Sequence, residues 1–81
     1  MSKLAIANKV MTITNDTGYE DTRNLAYGKY VYDPVFGYIE VKTITGDTVQ
    51  LRREQITEFN GVAGTPTYAS ILTALLANIK S

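Results

Sequence analysis

The chain has 81 residues and a mass of 8.9 kDa, and its eight Lys and Arg balance eight Asp and Glu. One domain fits that length, and a domain so small hides only about 60% of the surface its unfolded chain exposes. With no Cys, His or Trp, the chain has no disulfide, no thiolate nucleophile, no imidazole base and no Cys or His metal ligand.

The β region is expected over about residues 3–59, where Thr, Tyr, Val and Ile are frequent and suit a pleated, half-buried surface. The first strand is predicted over about Leu4–Thr14, with Val10, Thr12 and Thr14 on one face and Met11 and Ile13 on the other. Asn15-Asp16-Thr17-Gly18 is a turn cluster, since these residues tolerate left-handed backbone or bond their own main chain. Tyr19–Asn24 shows no apolar period and reads as a loop with room for one helical turn. A second strand is predicted over about Ala26–Tyr32 and stops at Asp33-Pro34, because proline cannot donate to a sheet ladder.

A third strand, Gly37–Ile44, and a fourth, Thr48–Arg53, flank Thr45-Gly46-Asp47 as a three-residue hairpin loop. That loop predicts a register of Val41 opposite Leu51, Thr43 opposite Val49, Glu40 opposite Arg52 and Lys42 opposite Gln50, with apolar and opposite-charge partners matched. Glu54–Phe59 is either a short fifth strand or a turn back to the sheet, and residues 60–64 read as a loop. A helix follows over about 66–80, with Thr65 as N-cap, Pro66 at its first position and Lys80 near its end, as capping and the helix dipole favour. Tyr68, Ile71, Leu72, Leu75, Leu76 and Ile79 have the spacing of a buried face. Thr67, Ser70, Thr73, Ala74, Ala77 and Asn78 form an opposite face without any charge. It reads either as plain surface or as a seat for a neighbouring subunit.

The residues that could carry chemistry do not converge on a site. Asp16, Glu20, Asp21, Asp33, Asp47 and Glu54 read as turn and surface acids, since a chain this short cannot build both a core and a two-carboxylate cleft. Asn15–Glu20 lacks the spacing of a calcium loop, and Gly61-Val62-Ala63-Gly64-Thr65 lacks the lysine of a phosphate loop. No imidazole is present to activate a serine. Tyr27, Tyr30, Tyr32 and Tyr38, near Lys29, Lys42, Arg52 and Arg53, suggest a stacking platform for single-stranded nucleic acid. Zero net charge argues against that and for core or protein-interface roles. No apolar run approaches the roughly 20 residues of a membrane span. The opening Met1-Ser2-Lys3-Leu4 does not read as a signal peptide.

Three runs carry a resemblance: Gly46–Leu51, Ile56–Val62 with its Asn60-Gly61-Val62 turn, and Tyr68–Ile79. Over about residues 46–80 the layout resembles small structural proteins of tailed-phage virions, of the auxiliary capsid, decoration or head-fibre kind found in crAss-like phages. The resemblance implies a virion structural protein, assembled in the host cytoplasm and bound to the capsid or a neighbouring head component, with no catalytic residue.

The expectation is one α+β domain over 1–81: a four- to five-stranded, mostly antiparallel sheet, flat or curled like an SH3-type barrel, and one C-terminal helix. The expected function is non-enzymatic, and the alternative is a small SH3-like cytoplasmic adaptor for protein or nucleic acid. No cofactor, metal, membrane or nucleic-acid partner is expected. The partner-binding candidates, in a homo-oligomer or a hetero-assembly, are Tyr30, Tyr32, Tyr38, Ser70, Thr73, Ala74 and Ala77.

Overall fold

The computed structural model describes residues 1–25, 29–33, 35, 37–43 and 45–79. The expected strand at Ala26–Gly28, the platform residue Tyr27, the stop at Pro34, the strand end at Ile44 and the placing of Lys80 lie outside the described residues. The class is α+β, as expected, but the strands are more numerous and form two sheets. They are β1 (Ser2–Ala7), β2 (Val10–Thr14), β3 (Glu20–Asn24), β4 (Lys29–Asp33), β5 (Tyr38–Lys42), β6 (Thr48–Arg52), β7 (Ile56–Phe59) and β8 (Val62–Ala63). A helix, α1 (Tyr68–Asn78), follows, and a single 3₁₀ turn at Arg53–Gln55 joins β6 to β7. One sheet has the order β3-β2-β1-β7-β8 and the other β4-β5-β6, so among the described residues the strands do not close into an SH3-like barrel. The first sheet is mixed, because β7 runs parallel to β1.

The predicted first strand is a hairpin. Asn8 and Lys9, at φ 53° and 61°, both take left-handed backbone and reverse the chain between Ala7 and Val10. Such a two-residue turn matches the twist of its strands, and it usually carries Gly. Asn60-Gly61 makes the same kind of turn between Phe59 and Val62, so residues 62–63 are a short strand rather than loop.

Tyr19–Asn24 was expected to be a loop, and β3 occupies most of it. The missing period has a physical cause. β3 turns Asp21 and Arg23 toward the same side as Ile13 and Met11, so charges stand where a pattern search expects apolar residues. They pair with each other, with Arg23 Nε 3.0 Å from Asp21 Oδ1. Inward-pointing charge also blunts an edge strand against unwanted pairing.

The β5–β6 register differs from the predicted one by two residues. Val41 faces Val49, Ile39 faces Leu51, Glu40 faces Gln50 and Tyr38 faces Arg52. A two-residue shift keeps every side chain on its expected face, because the strand period is two, and changes only the partners. The loop is centred one residue earlier than predicted, on Thr45 rather than Gly46. Thr43 N–H donates to the Asp47 carbonyl at 2.9 Å, and Gly46, at φ 91°, turns the chain with its N–H on the Thr43 carbonyl. Of the two readings of Glu54–Phe59, the strand is right for Ile56–Phe59.

The helix begins two residues later than predicted, and its N-cap is Thr67 rather than Thr65. A start at Pro66 would commit its carbonyl to Ser70 N–H. Arg53 Nε takes that carbonyl at 2.6 Å instead, and the Thr67 hydroxyl oxygen accepts from Ser70 N–H at 3.2 Å.

Both sheets and the helix contribute to one core of Leu4, Ile6, Met11, Leu25, Ile39, Val41, Leu51, Ile56, Ile71 and Leu75. Tyr68, Leu72, Ala74 and Ile79 pack against it. Leu76, expected on the buried face, is 68% exposed. At roughly 100° per residue it lies about 120° around the helix from the centre of the Ile71 and Leu75 side, beyond the reach of the core.

Candidate functional site

The outer face of α1 is formed by Ala69, Thr73, Leu76 and Ala77, all exposed. The helix has no charged residue along its 11 positions. The hydroxyls near this face are already engaged. Ser70 Oγ donates to the Thr67 carbonyl and Thr73 Oγ1 to the Ala69 carbonyl, each at 2.8 Å. With those donors turned back on the helix, the face presents methyl groups and the Leu76 side chain. Among the residues expected to bind a partner, Thr73 and Ala77 lie on this face and Ser70 at its margin, while Ala74 turns inward against the core. Leu76 was missed because its spacing also fits the buried set.

The three tyrosines do not share a surface. Tyr30 and Tyr32 stand opposite Val41 and Ile39, so they lie on the inner face of the three-stranded sheet. Tyr30 packs against the core. Tyr32, at the rim, sits 5.2 Å from the Tyr68 ring with a 54° tilt, a favourable aromatic arrangement. The Tyr68 hydroxyl donates to the Gly37 carbonyl, tying the start of α1 to the β4–β5 turn. Tyr38 lies on the outer face, with the Arg52 guanidinium carbon 5.4 Å from its ring centroid, within cation–π range. A stacking platform of Tyr30, Tyr32 and Tyr38 is therefore not assembled.

That outer face reads as three cross-strand rows: Asp33, Tyr38 and Arg52; Val31, Glu40 and Gln50; Lys29, Lys42 and Thr48. Val31 is 62% exposed on it, and Val35, in the following turn, is 84% exposed. Sequence reasoning did not single out either valine.

Asp21, Asp33 and Asp47 serve structure. Asp33 Oδ1 accepts from Val35 N–H at 3.0 Å, and Asp47 accepts from Thr45 Oγ1 at 3.0 Å and from Arg23 Nη1 at 2.7 Å. The Asp21 hydrogen bond, then its charge, raise the Arg23 pKa above the ordinary arginine value, and Asp47 adds to the effect. Among the described residues no group of three or more Asp and Glu could hold a metal ion. The gap between the sheets, beside Leu4, Ile13, Leu51 and Ile56, measures about 50 Å³, room for a water or two but not for a metabolite. An open groove of about 310 Å³ runs between Phe59, Val62, Pro66 and Ser70. No family model, curated protein or solved structure matches the chain.

Proposed function

We propose that the protein is a non-enzymatic structural component that acts by docking, and that the body it joins is a virion, at the capsid or a neighbouring head component. The observation that carries the docking reading is the outer face of α1, where Leu76 is 68% exposed among Ala69, Thr73 and Ala77 on a helix with no charge. Solvated helix faces normally carry charged side chains. Small residues around one large apolar group let a partner's backbone approach closely and bury that group. The virion assignment is supported by the resemblance of residues 46–80 to phage head proteins.

The experiment is mass spectrometry of purified particles from a phage carrying the gene, with wild type and with Leu76→Glu or Ala77→Arg. Wild type is expected in the particles in fixed ratio to the major capsid protein. Both variants are expected to keep the wild-type circular dichroism spectrum and to be lost from the particles. Absence of the wild-type chain from particles overturns the virion assignment. Normal incorporation of both variants overturns the role of the α1 face.

A further inference from the structure

We propose that β4 pairs antiparallel with β4 of a second copy, joining two three-stranded sheets into one of six strands. This contact is separate from the α1 face and does not depend on a virion role. Among the described strands β4 is hydrogen-bonded to β5 alone, so it is an edge of its sheet. Edge strands in stable monomers are usually blunted. β3 is blunted by inward Asp21 and Arg23, β8 is only two residues long, and β6, the other edge of the three-stranded sheet, runs beside the gap to the first sheet, which its Gln50, Leu51 and Arg52 line together with Leu4 and Ile56. β4 instead carries Tyr30 and Tyr32 on its inner face and exposed Val31 at the centre of its outer face, with Val35 just beyond its end.

The second copy is indicated by the strand's own charge pattern. β4 reads Lys29-Tyr30-Val31-Tyr32-Asp33. Turned about a two-fold axis at Val31, each Lys29 meets Asp33 of the second copy, each Tyr30 meets Tyr32 of the second copy, and Val31 meets Val31. Every residue then meets one of its own face and a compatible kind. A parallel pairing would set Lys29 against Lys29 and Asp33 against Asp33. A one-residue slip would put tyrosines against outward-facing residues, and a two-residue slip would leave charges facing Val31. The two-fold register also relieves a conflict within the single chain, where Lys29 stands directly opposite Lys42 on the outer face. Like charges so placed repel, and Asp33 of the second copy brings a carboxylate to the other side of Lys29. Five residues on each side make a small interface, so the expected dimer is reversible and forms at micromolar concentration or above.

Sedimentation equilibrium over a concentration series tests this on the full chain. Wild type is expected to move from monomer to dimer. Val31→Lys places two like charges at the two-fold axis, and Lys29→Asp sets carboxylate against carboxylate; each is expected to weaken the dimer at least about tenfold. The double variant Lys29→Asp with Asp33→Lys exchanges the charges and is expected to restore the dimer. Leu76→Glu, on the separate α1 face, is expected to leave the dimer unchanged. A wild type that stays monomeric at millimolar concentration overturns the proposal. So does undiminished dimerisation of both Val31→Lys and Lys29→Asp. Loss of the dimer in Leu76→Glu alone would move the contact to the helix and overturn it as well.

Discussion

Arg23 and Asp47 join the two sheets: Nη1 of Arg23, on edge strand β3, lies 2.7 Å from Asp47 Oδ2, in the loop between β5 and β6. The same guanidinium holds Asp21 through Nε and Nη2. One side chain therefore satisfies the inward charge of its own strand and reaches the neighbouring sheet.

This pairing has consequences for salt and pH. Asp47→Asn is expected to lower the melting temperature slightly in low salt, with the difference fading as salt rises, because the pair is partly exposed and screened. The raised Arg23 pKa contributes stability that is complete below the unfolded-state arginine value and lost only as pH rises through the folded one, beyond the ordinary arginine range. The melting-temperature loss in Arg23→Ala is therefore expected to be the same at about pH 6 and about pH 8, and unequal losses by calorimetry would contradict this.

Lys9 holds φ 61° in the β1–β2 turn. Left-handed backbone costs a residue with Cβ about 1–2 kcal/mol, and glycine adds about 0.4–1 kcal/mol of unfolded-state entropy. Lys9→Gly is expected to gain a net stability of about 0.5–1 kcal/mol from these two terms, read as a higher urea midpoint at unchanged slope. The main-chain bonds of Lys9, to Leu25 N–H and to Asn78 Oδ1, do not involve the replaced side chain.

Leu75 and Leu76 are neighbours with opposite roles, one fully buried and the other 68% exposed. Leu75→Ala is expected to cost about 2–5 kcal/mol through the cavity it leaves. Leu76→Ala is expected to stay within about 0.5 kcal/mol of wild type. Equal costs in parallel denaturant titrations would mean that the helix is rotated from the position described.

The two candidate caps are separable in the same way. Thr67→Ala removes the acceptor for Ser70 N–H and is expected to cost about 1 kcal/mol. Thr65→Ala, two residues earlier, is expected to change stability by less than about 0.5 kcal/mol. A larger loss at Thr65, measured by thermal melts, would place the helix start at Pro66.

Local signals in the chain determined the α+β class, the C-terminal helix with its anchors Ile71 and Leu75, the turn at Asn15–Gly18, and the faces of the β5–β6 hairpin. Each follows from a preference expressed within a few residues: a 3.6 or 2 period, a capping hydroxyl, a glycine with positive φ. Long-range partners decided the remainder. Asn8-Lys9 carries no glycine, so the β1–β2 turn shows only when Val10 pairs back onto Ala7. β3 hides its strand character because Asp21 and Arg23 neutralise each other and Asp47 completes the set. The helix start depends on Arg53, 13 residues before Pro66, capturing a carbonyl. The exposure of Leu76 and Val31 depends on which side of each element the rest of the chain covers. Periodicity identifies an apolar residue, but only packing against the other sheet or the helix decides whether that residue is core or surface.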